Sequence, residues 1–543
     1  MTWVKVKNYP GLMGLRAGDG LSPGAVRAEN LDDQPPAANG VGGASTQGRM
    51  GLLGGWPATY TRGRMKPMTP ELKQAMAALD AGRIEDARRL CEKMKGVPAT
   101  ADEALFLEGL IAFRLGRHAE AVALLERAAQ IMPSSVRLHS ALGLSCQAAG
   151  FWKRAADHFI QCIQLDPKSP RPFLELADMC SDTRHYEKAI GLYREALERD
   201  PKSVAGWNNL AIALRKLGRL NEAAEDYRRA LDLRPEDATI HLNLSHTLLA
   251  AGRLPEGFAE FKHRWEALGL RREARPVWTG EPMPQGTLLV FAEQGLGDTI
   301  QFVRYLPLVR ERVGRVILES QGPLRTLMEQ SGVAHQVIGP GEPPPAHDAY
   351  VPLMHLPAIF GTTLSTIPAA IPYLKTTAQL PLPAGPAQEL KVGVTWAGNR
   401  VFGNDALRSM RLPQLSLLLA MPGVRFFSLQ KEVGGHDQAY FRASPLVPIM
   451  EQVKDFADTG AILEQLDLVI SVDTAVAHLA GALGRPVWVL LPAPPDWRWL
   501  TNREDSPWYP TVRLFRQQER EGWNPLIPRV AAALAQFRRQ ARC

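Results

Sequence analysis

The segment YEKAIGLYREALERDP at residues 186–201 recurs 34 residues later as LNEAAEDYRRALDLRP at residues 220–235. A period of this length is typical of paired antiparallel helices, in which small residues lie where two helices cross and a large side chain fills the space beside them. One hairpin cannot bury its own apolar face, so the period predicts a stack of about six hairpins over residues 69–268. The same 34-residue step holds for three sets of residues: Ala87, Ala121, Ala155, Ala189 and Ala223; Leu125, Phe159, Tyr193, Tyr227 and Phe261; Pro133, Pro167, Pro201 and Pro235.

The turns between the helices carry the same period. Arg184 stands at the one position where the glycine step misses. The pattern resembles the tetratricopeptide repeat (TPR), which implies a right-handed solenoid whose groove holds a protein or peptide. The last repeat has Gly257 in place of the expected alanine and lacks the closing proline, as is typical of a repeat at a junction. The recurring glycines are Gly82, Gly116, Gly150, Gly218 and Gly252.

Residues 1–68 contain 13 glycines and 6 prolines and show no apolar period. A segment of this composition buries too little apolar surface to offset its ordering entropy, so we predict a disordered tail. Two explanations stay open: a functional tail, or a start codon placed too far upstream.

The net charge of +7 is concentrated at the two ends of the chain. Residues 1–68 carry +4 and residues 511–543 carry +5, which leaves the body at −2. A nearly neutral body offers no basic face for phosphates, so we expect no nucleic-acid partner.

Several further features favour a cytoplasmic protein. The 5 cysteines have no C-x-x-C spacing, which excludes a disulfide scaffold and indicates a reducing compartment. The first residues lack the apolar core of a signal peptide. The most apolar stretch is interrupted by Asp473, His478 and Arg485, so we expect no transmembrane segment.

From residue 286 onward, apolar runs rich in β-formers alternate with helical patterns. This order predicts an α/β region with two parallel sheets, one in a half spanning residues 286–385 and one in a half spanning residues 388–543. Residues 340–386 hold eleven prolines, so we expect no regular elements there and a linker in its last part. Ligands of such sheets bind at the carboxyl ends of the strands. The predicted strands are 287–292, 315–319, 391–396, 424–429, 466–472 and 486–491.

The first candidate site follows the strand TLLVFA, where Gly295 and Gly297 allow a tight turn and Asp298 opens a helix. Asp298 could act on a ligand or could simply cap the helix. A Rossmann dinucleotide site is a competitor, because Glu319 closes the next strand where a ribose-binding acid belongs. The bulky Ile300 at the third glycine position argues against it.

The second candidate site is the strand LDLVISV followed by DTAVAH at residues 473–478. The amides of residues 474–476 would form a helix N-terminus, where unpaired N–H groups and the helix dipole favour a diphosphate. His478 lies one turn further and would face the same ligand, or would be a core histidine.

The third candidate site combines two further strand ends. KVGVTWAGN at residues 391–399 places Thr395 and Asn399 at one of them, and VRFFSLQK ends at Gln430 and Lys431. Such side chains are donors for phosphate and ribose, although a single arginine is more often a solvated surface residue. Arginines that follow the first strand are Arg400, Arg408 and Arg411.

Residues 286–540 resemble the GT-B glycosyltransferases, specifically the ADP-heptose:lipopolysaccharide heptosyltransferase family (glycosyltransferase family 9), through GLGD at 295–298 and DTAVAH at 473–478. The combination with TPR repeats is similar to the O-linked N-acetylglucosamine transferases. The resemblance implies sugar transfer from a nucleotide diphosphate, with Asp298 as base. One departure is Ala475, where the family has glycine. The donor contacts that it implies, with those from the strand ends, are Gly295, Gly297, Thr395, Asn399, Arg400, Gln430, Lys431, Asp473, Thr474, Ala475 and His478.

We therefore expect a glycosyltransferase that moves a sugar from a nucleotide-sugar to a hydroxyl of a protein or glycan. The body lacks a D-x-D motif, so we expect neither a metal nor another cofactor. The alternative is a non-catalytic TPR interaction protein with a degenerate GT-B region.

Overall fold

The computed structural model describes residues 68–269, 275–386, 388–399, 405–518 and 522–540. Its Cα positions group into two compact units, one ending at Leu217 and one beginning at Gly218. The tail predicted for residues 1–68 lies outside the described residues except for Met68.

The first unit consists of helices that pair as the 34-residue period predicts. Side-chain oxygens of Ser135 and Ser203 cap two of these helices, each accepting from an N–H three residues ahead. The helices are α1 (Pro70–Asp80), α2 (Ile84–Lys95), α3 (Ala101–Arg114), α4 (His118–Ile131), α5 (Val136–Ala149), α6 (Trp152–Leu165), α7 (Arg171–Asp182), α8 (Tyr186–Arg199) and α9 (Val204–Lys216).

Close helix crossings explain the small and large positions of the repeat. A Cβ added to Gly109 would lie 2.5 Å from Cγ of Leu125, and one added to Gly143 would lie 2.5 Å from the ring of Phe159. Ala155 in the small column is fully buried. The large side chain of one helix therefore packs directly on the backbone of its partner.

The turn glycines adopt the left-handed conformation that the repeat requires. Gly82, Gly116 and Gly150 have φ values of 71°, 75° and 86°. Arg184 takes the same conformation, with φ 63°, although it carries a side chain. The repeat geometry thus imposes backbone strain on Arg184.

The second unit begins with the last helices of the repeat region. Gly257 is required there, because a Cβ would lie 2.6 Å from Cγ of Leu249 and 3.0 Å from its backbone nitrogen. Phe258 packs edge-on against Trp497, at 5.8 Å between ring centroids. The last repeat thus shares a core with the α/β region that follows. These helices are α10 (Leu220–Leu233), α11 (Ala238–Ala250), α12 (Leu254–Phe261) and α13 (Arg264–Ala267).

In the α/β region, the described residues form a four-stranded sheet of order β3-β2-β1-β4, with all pairs parallel. Its strands are β1 (Met283–Phe291), β2 (Val313–Glu319), β3 (Gln336–Ile338) and β4 (Ala349–Pro352). Its helices are α14 (Leu296–Phe302), α15 (Leu306–Arg310), α16 (Arg325–Ser331) and α17 (Leu356–Ile359).

A second, six-stranded parallel sheet has the order β10-β9-β8-β5-β6-β7. Its strands are β5 (Leu390–Thr395), β6 (Val424–Ser428), β7 (Val447–Pro448), β8 (Leu468–Val472), β9 (Val487–Leu491) and β10 (Val512–Arg516). Its helices are α18 (Asp405–Arg408), α19 (Ser416–Leu419), α20 (Gln438–Ala443), α21 (Phe456–Glu464), α22 (Ala475–Ala482) and α23 (Leu526–Gln540).

The expectation of no regular elements in residues 340–386 is wrong for the first part of that segment. Strand β4 and helix α17 lie there because each is short and places its proline where no backbone N–H is needed: Pro352 ends the strand and Pro357 occupies the first turn of the helix. The last part of the segment forms neither helix nor strand.

That last part nevertheless holds the two sheets together. The hydroxyl of Tyr373 donates to the carbonyl of Ile300 on α14 at 2.9 Å, and its backbone N–H donates to the carbonyl of Ala482 on α22 at 3.1 Å. The buried guanidinium of Arg304 donates to the Tyr373 hydroxyl at 3.0 Å and to the carbonyl of Trp508 at 2.6 Å. The segment therefore bridges one helix from each half.

Among the described residues, no helix is both long enough and apolar enough to span a bilayer. Four of the cysteines, Cys91, Cys146, Cys162 and Cys180, are buried free thiols, and burial raises the pKa of each.

Candidate functional site

The GLGD turn follows the central strand β1 and leads directly into α14. Gly295 is the N-cap residue, and Asp298 lies in the first turn of the helix, where Oδ2 accepts the N–H of Gly295 at 2.8 Å. The capping bond therefore runs backward, whereas the sequence interpretation had Asp298 bonding two amides ahead. The other carboxylate oxygen, Oδ1, is left for a different partner.

The DTAVAH segment occupies the equivalent place after β8, a central strand of the second sheet. Thr474 is the N-cap residue of α22, but its side chain does not cap the helix. Its hydroxyl instead lies 2.9 Å from the hydroxyl of Ser471 at the strand end. The first N–H groups of α22, including that of Ala475, thus receive no cap from Thr474 and retain the character of an anion site.

The two helix starts face each other. A Cβ added to Gly297 would lie 2.9 Å from Cδ2 of His478 and 3.6 Å from Cα of Ala475. A glycine is therefore needed at position 297 because the other helix passes directly over it. The two motifs that the sequence singled out are brought together across the two sheets.

His478 is buried at this crossing, with 5% of its surface exposed. Its Nδ1 lies 2.9 Å from the hydroxyl of Tyr509, and its ring stacks on Trp499 at 5.3 Å between centroids. Burial, with the charge of Arg498 as the next cause, lowers the pKa of His478 to about 3. The imidazole is therefore neutral at physiological pH, and any contact with an anion would be a neutral hydrogen bond.

Arg498, which the sequence interpretation missed, lies at the centre of the crossing. Its guanidinium donates to Oδ1 of Asp298, to Oε1 of Gln301 at 2.9 Å and to Oδ1 of Asp496 at 2.7 Å. Burial would lower the pKa of Arg498, but Asp298 and Asp496 together raise it. This buried cation from the second half therefore neutralises carboxylates of both halves.

Two carboxyl groups beside Arg498 titrate in opposite directions. Burial and the charge of Asp496 raise the pKa of Asp473 to about 6, against the lowering effects of Arg408 and Arg498. Burial also acts on Asp496, but Arg498 outweighs it and lowers the pKa of that group. Asp473 thus changes its charge within the range of pH at which enzymes work.

Two buried polar atoms near these strand and helix ends lack partners among the described residues. They are Nε2 of Gln301, whose Oε1 binds Arg498, and Oγ1 of Thr395, which pairs with Ser471 in the strand register. An unpaired buried polar atom costs roughly 1–3 kcal/mol. Such atoms are typical of a site that receives its hydrogen-bond partners from a ligand.

The remaining predicted donor contacts serve the protein's own backbone or lie away from the crossing. Oε1 of Gln430 accepts the N–H groups of Trp396 and Ala397 at 3.3 and 3.0 Å. The ammonium of Lys431 donates to the carbonyls of Met450 and Val453 at 3.3 and 2.5 Å. Asn399 is exposed, and Arg400 lies outside the described residues.

The end of the repeat region reaches the same loop. Arg264, at the start of α13, is completely buried and donates to Oε1 of Glu293, two residues before Gly295. The adjacent Trp265 stacks on Tyr350 of β4 at 6.0 Å. The last helical turn thus supports the strand end from which the GLGD motif begins.

Comparison with protein-family models identifies tetratricopeptide repeats at residues 72–136, 170–213 and 204–237. These matches confirm the predicted TPR region, and such repeats imply a protein-interaction role for the helical part.

The protein FlbA of Caulobacter vibrioides is 29% identical to this chain over 290 residues, which are 48% of each chain. The chain therefore spans about half the length of the curated relative it matches. Among solved structures, MamA from MSR-1 is 24% identical with a TM-score of 0.28, covering 31% of this chain and 97% of MamA. The APC/C hetero-tetramer Cut9–Hcn1 gives 20% identity and a TM-score of 0.32, covering 37% of this chain and 40% of that one. Scores this low carry no argument about this chain.

Proposed function

We propose that the α/β region is a metal-independent GT-B glycosyltransferase, with halves at residues 286–385 and 388–543, that transfers a sugar from a nucleotide-sugar to an acceptor hydroxyl. The observation that carries the proposal is the crossing of the two helix starts, where Asp298, Arg498 and the uncapped amides of α22 lie together. A carboxylate, a fixed cation and free backbone donors are the groups that glycosyl transfer from a diphosphate needs.

The diphosphate would bind at the amides of residues 474–476, with Arg498 supplying positive charge to the leaving group. Oδ1 of Asp298 now binds Arg498, so a phosphate that attracts this guanidinium would release the carboxylate. Asp298 would then accept the proton of the acceptor hydroxyl while its oxygen attacks the anomeric carbon. The bond between that carbon and the phosphate oxygen breaks, and the nucleoside diphosphate leaves with the electron pair.

The raised pKa of Asp473 suits this placement. A carboxylate beside an α22 diphosphate would repel it, whereas the protonated acid can donate a hydrogen bond. With a pKa of about 6, Asp473 takes up its proton at little cost when an anion arrives.

The experiment is a transfer assay with mass-tagged UDP-, GDP-, ADP- and dTDP-sugars, paired with a thermal-shift screen of the nucleoside diphosphates. Asp298→Asn keeps an oxygen for the N–H of Gly295, so stability and nucleotide binding should stay near wild type while turnover falls by about 10²- to 10⁴-fold. His478→Ala should instead weaken nucleotide binding. No donor turnover and no nucleotide-induced stabilisation would contradict the proposal.

A second candidate function is a non-catalytic TPR interaction protein. It is favoured by Ala475, which replaces the family's glycine, and by the two occupied oxygens of Asp298. A chain that is stabilised by a nucleoside diphosphate yet leaves every donor intact would favour this reading. In both cases we place the protein in the cytoplasm, with the solenoid groove holding the acceptor or a partner protein.

A further inference from the structure

Three metal-binding side chains meet at the last helical hairpin, outside the site described above. His241 lies on α11, Glu260 on α12, and His263 directly before α13. One ligand atom from each lies within 4.8 Å of the other two, and all three residues are half-buried. Two imidazoles and one carboxylate are a donor set that binds Zn²⁺ in proteins.

The repeat itself fixes the protonation of His241. Its Nε2 lies 2.7 Å from the carbonyl oxygen of Pro235. Trp207, 34 residues earlier, directs its indole N–H at the carbonyl of Pro201 at 2.9 Å. An indole nitrogen can only donate, so this repeat position is a donor position, and Nε2 of His241 carries the proton. Nδ1 of the neutral ring then has a free lone pair, as a metal ligand requires.

That lone pair faces an anion. Nδ1 of His241 lies 2.5 Å from Oε2 of Glu260. Two acceptors at this distance repel each other unless a cation lies between them, which is either a second proton on the ring or a metal ion.

His263 supplies the third donor. Its ring is stacked on that of His241 at 3.8 Å with an angle of 9° between the planes. Burial, and then the charges of His241 and Lys262, lower the pKa of His263. A neutral His263 keeps a nitrogen lone pair available at neutral pH.

An earlier hairpin contains the same pair without the complete donor set. His139 and His158, each 102 residues before its counterpart, repeat the geometry, with Nε2 of His139 at 2.9 Å from the carbonyl of Pro133 and its Nδ1 at 3.3 Å from Nδ1 of His158. Here the partner is an imidazole that can donate its own proton, so no added cation is needed. The position that matches His263 is Gln161.

We infer that His241, Glu260 and His263 form a Zn²⁺ site in which the ion takes the place of the proton between His241 and Glu260, with water completing the coordination. Ligands around a tetrahedral Zn²⁺ lie about 2.1 Å from the ion and hence roughly 3.4 Å from one another. The His263 ring must therefore turn out of its stack when the ion binds. The ion would join α11, α12 and the turn before Arg264.

The test uses the full-length chain after treatment with EDTA and dialysis. Titration with ZnCl₂ by calorimetry should give one tight site per chain, and Co²⁺ should give the intense visible bands of a four- or five-coordinate ion. Glu260→Gln and His263→Gln should each lower Zn²⁺ affinity by more than the roughly 10- to 100-fold that the loss of an outer contact costs. The matched control His158→Gln, at the equivalent position of the earlier hairpin, should leave affinity unchanged.

Melting of all variants in EDTA serves as the folding control, since each changes only a half-buried side chain. Two outcomes would overturn the inference. Absence of Zn²⁺ binding by the folded wild-type chain would show that His241 is an imidazolium paired with Glu260. Binding that survives both Glu260→Gln and His263→Gln would show that the ion binds elsewhere.

Discussion

Arg498 donates a hydrogen bond to Asp298 although 200 residues separate them in the chain. Asp298 lies in the first turn of α14, after the central strand of one sheet, and Arg498 follows β9 of the other. The contact therefore joins the two halves at the point where the GLGD and DTAVAH motifs meet. It also makes any chemistry of Asp298 dependent on what else binds Arg498.

Arg498→Lys is expected to weaken nucleoside diphosphate binding by about 10- to 100-fold. Lysine keeps the charge but loses the planar group that donates to Asp298, Gln301 and Asp496 together, and a charge-assisted hydrogen bond is worth roughly 1.5–3 kcal/mol. Calorimetric titration measures the change. The control is Arg503→Lys, whose partner Asp505 is exposed; equal affinities for all three proteins would remove Arg498 from the binding site.

Gly297→Ala is expected to disturb the helix crossing, whereas Gly295→Ala should be mild. The new Cβ at position 297 would press on His478 at 2.9 Å, whereas at position 295 it would meet only Oδ2 of Asp298, at 3.3 Å. Overpacking of this kind costs roughly 1–3 kcal/mol. Thermal melts and nucleotide titrations of both variants check it, and a Gly297→Ala protein as stable as Gly295→Ala would contradict the crossing.

Asp473→Asn is expected to stabilise the protein at pH 7 but not at pH 4. Because the folded pKa of Asp473 is about 6, against 3.8 for the free group, the folded state holds this proton more tightly than the unfolded chain. Stability is therefore lost as pH rises from about 4 to 6, and the loss amounts to about 3 kcal/mol above that range.

Urea unfolding between pH 4 and pH 8 measures this effect for Asp473→Asn. Asp496→Asn is the matched control with the opposite sign, because Arg498 lowers the pKa of Asp496 and the ionised group stabilises the fold at pH 7. Identical pH profiles for wild type and Asp473→Asn would show that the carboxyl is solvated.

Arg184→Gly is expected to raise stability by roughly 0.5–1 kcal/mol, because glycine relieves the left-handed backbone at a modest entropic cost in the unfolded chain. Arg184 also contributes, after burial and Arg215, to the lowered pKa of Lys216 of about 8, so its removal should raise that pKa. Denaturant melts check the gain. The reverse change Gly150→Arg, at φ 86°, should lose stability; a destabilised Arg184→Gly protein would show that its side-chain contacts outweigh the strain.

The repeat region could be predicted from the sequence because its signal recurs every 34 residues and each position has one packing task. Ala155 and Phe159 are buried as expected of the small and large columns, and the left-handed turn persists even where Arg184 replaces glycine. The junction was harder. Gly257 shows its purpose only when Leu249 is placed against it.

The candidate site could be predicted only in part, because its two motifs are local and its central contact is not. Gly295–Asp298 and Asp473–His478 mark helix starts by their own residues. Arg498 lies in the stretch PAPPDWRWL, which has no helical or strand period, and its partners are distant in the chain. Strands β3 and β7 escaped detection because 3 and 2 residues are too few to show a period.

The buried ion pair of Arg264 and Glu293 limits how this protein can be divided. A fragment that begins at residue 286 would keep Glu293 in the interior without its cation, and breaking such a pair costs roughly 3–5 kcal/mol. It would also expose the faces that Phe258 and Trp265 cover. The α/β region is therefore not a portable cassette, and recombination that joins it to another repeat array would have to carry along the helices from Gly218 onward.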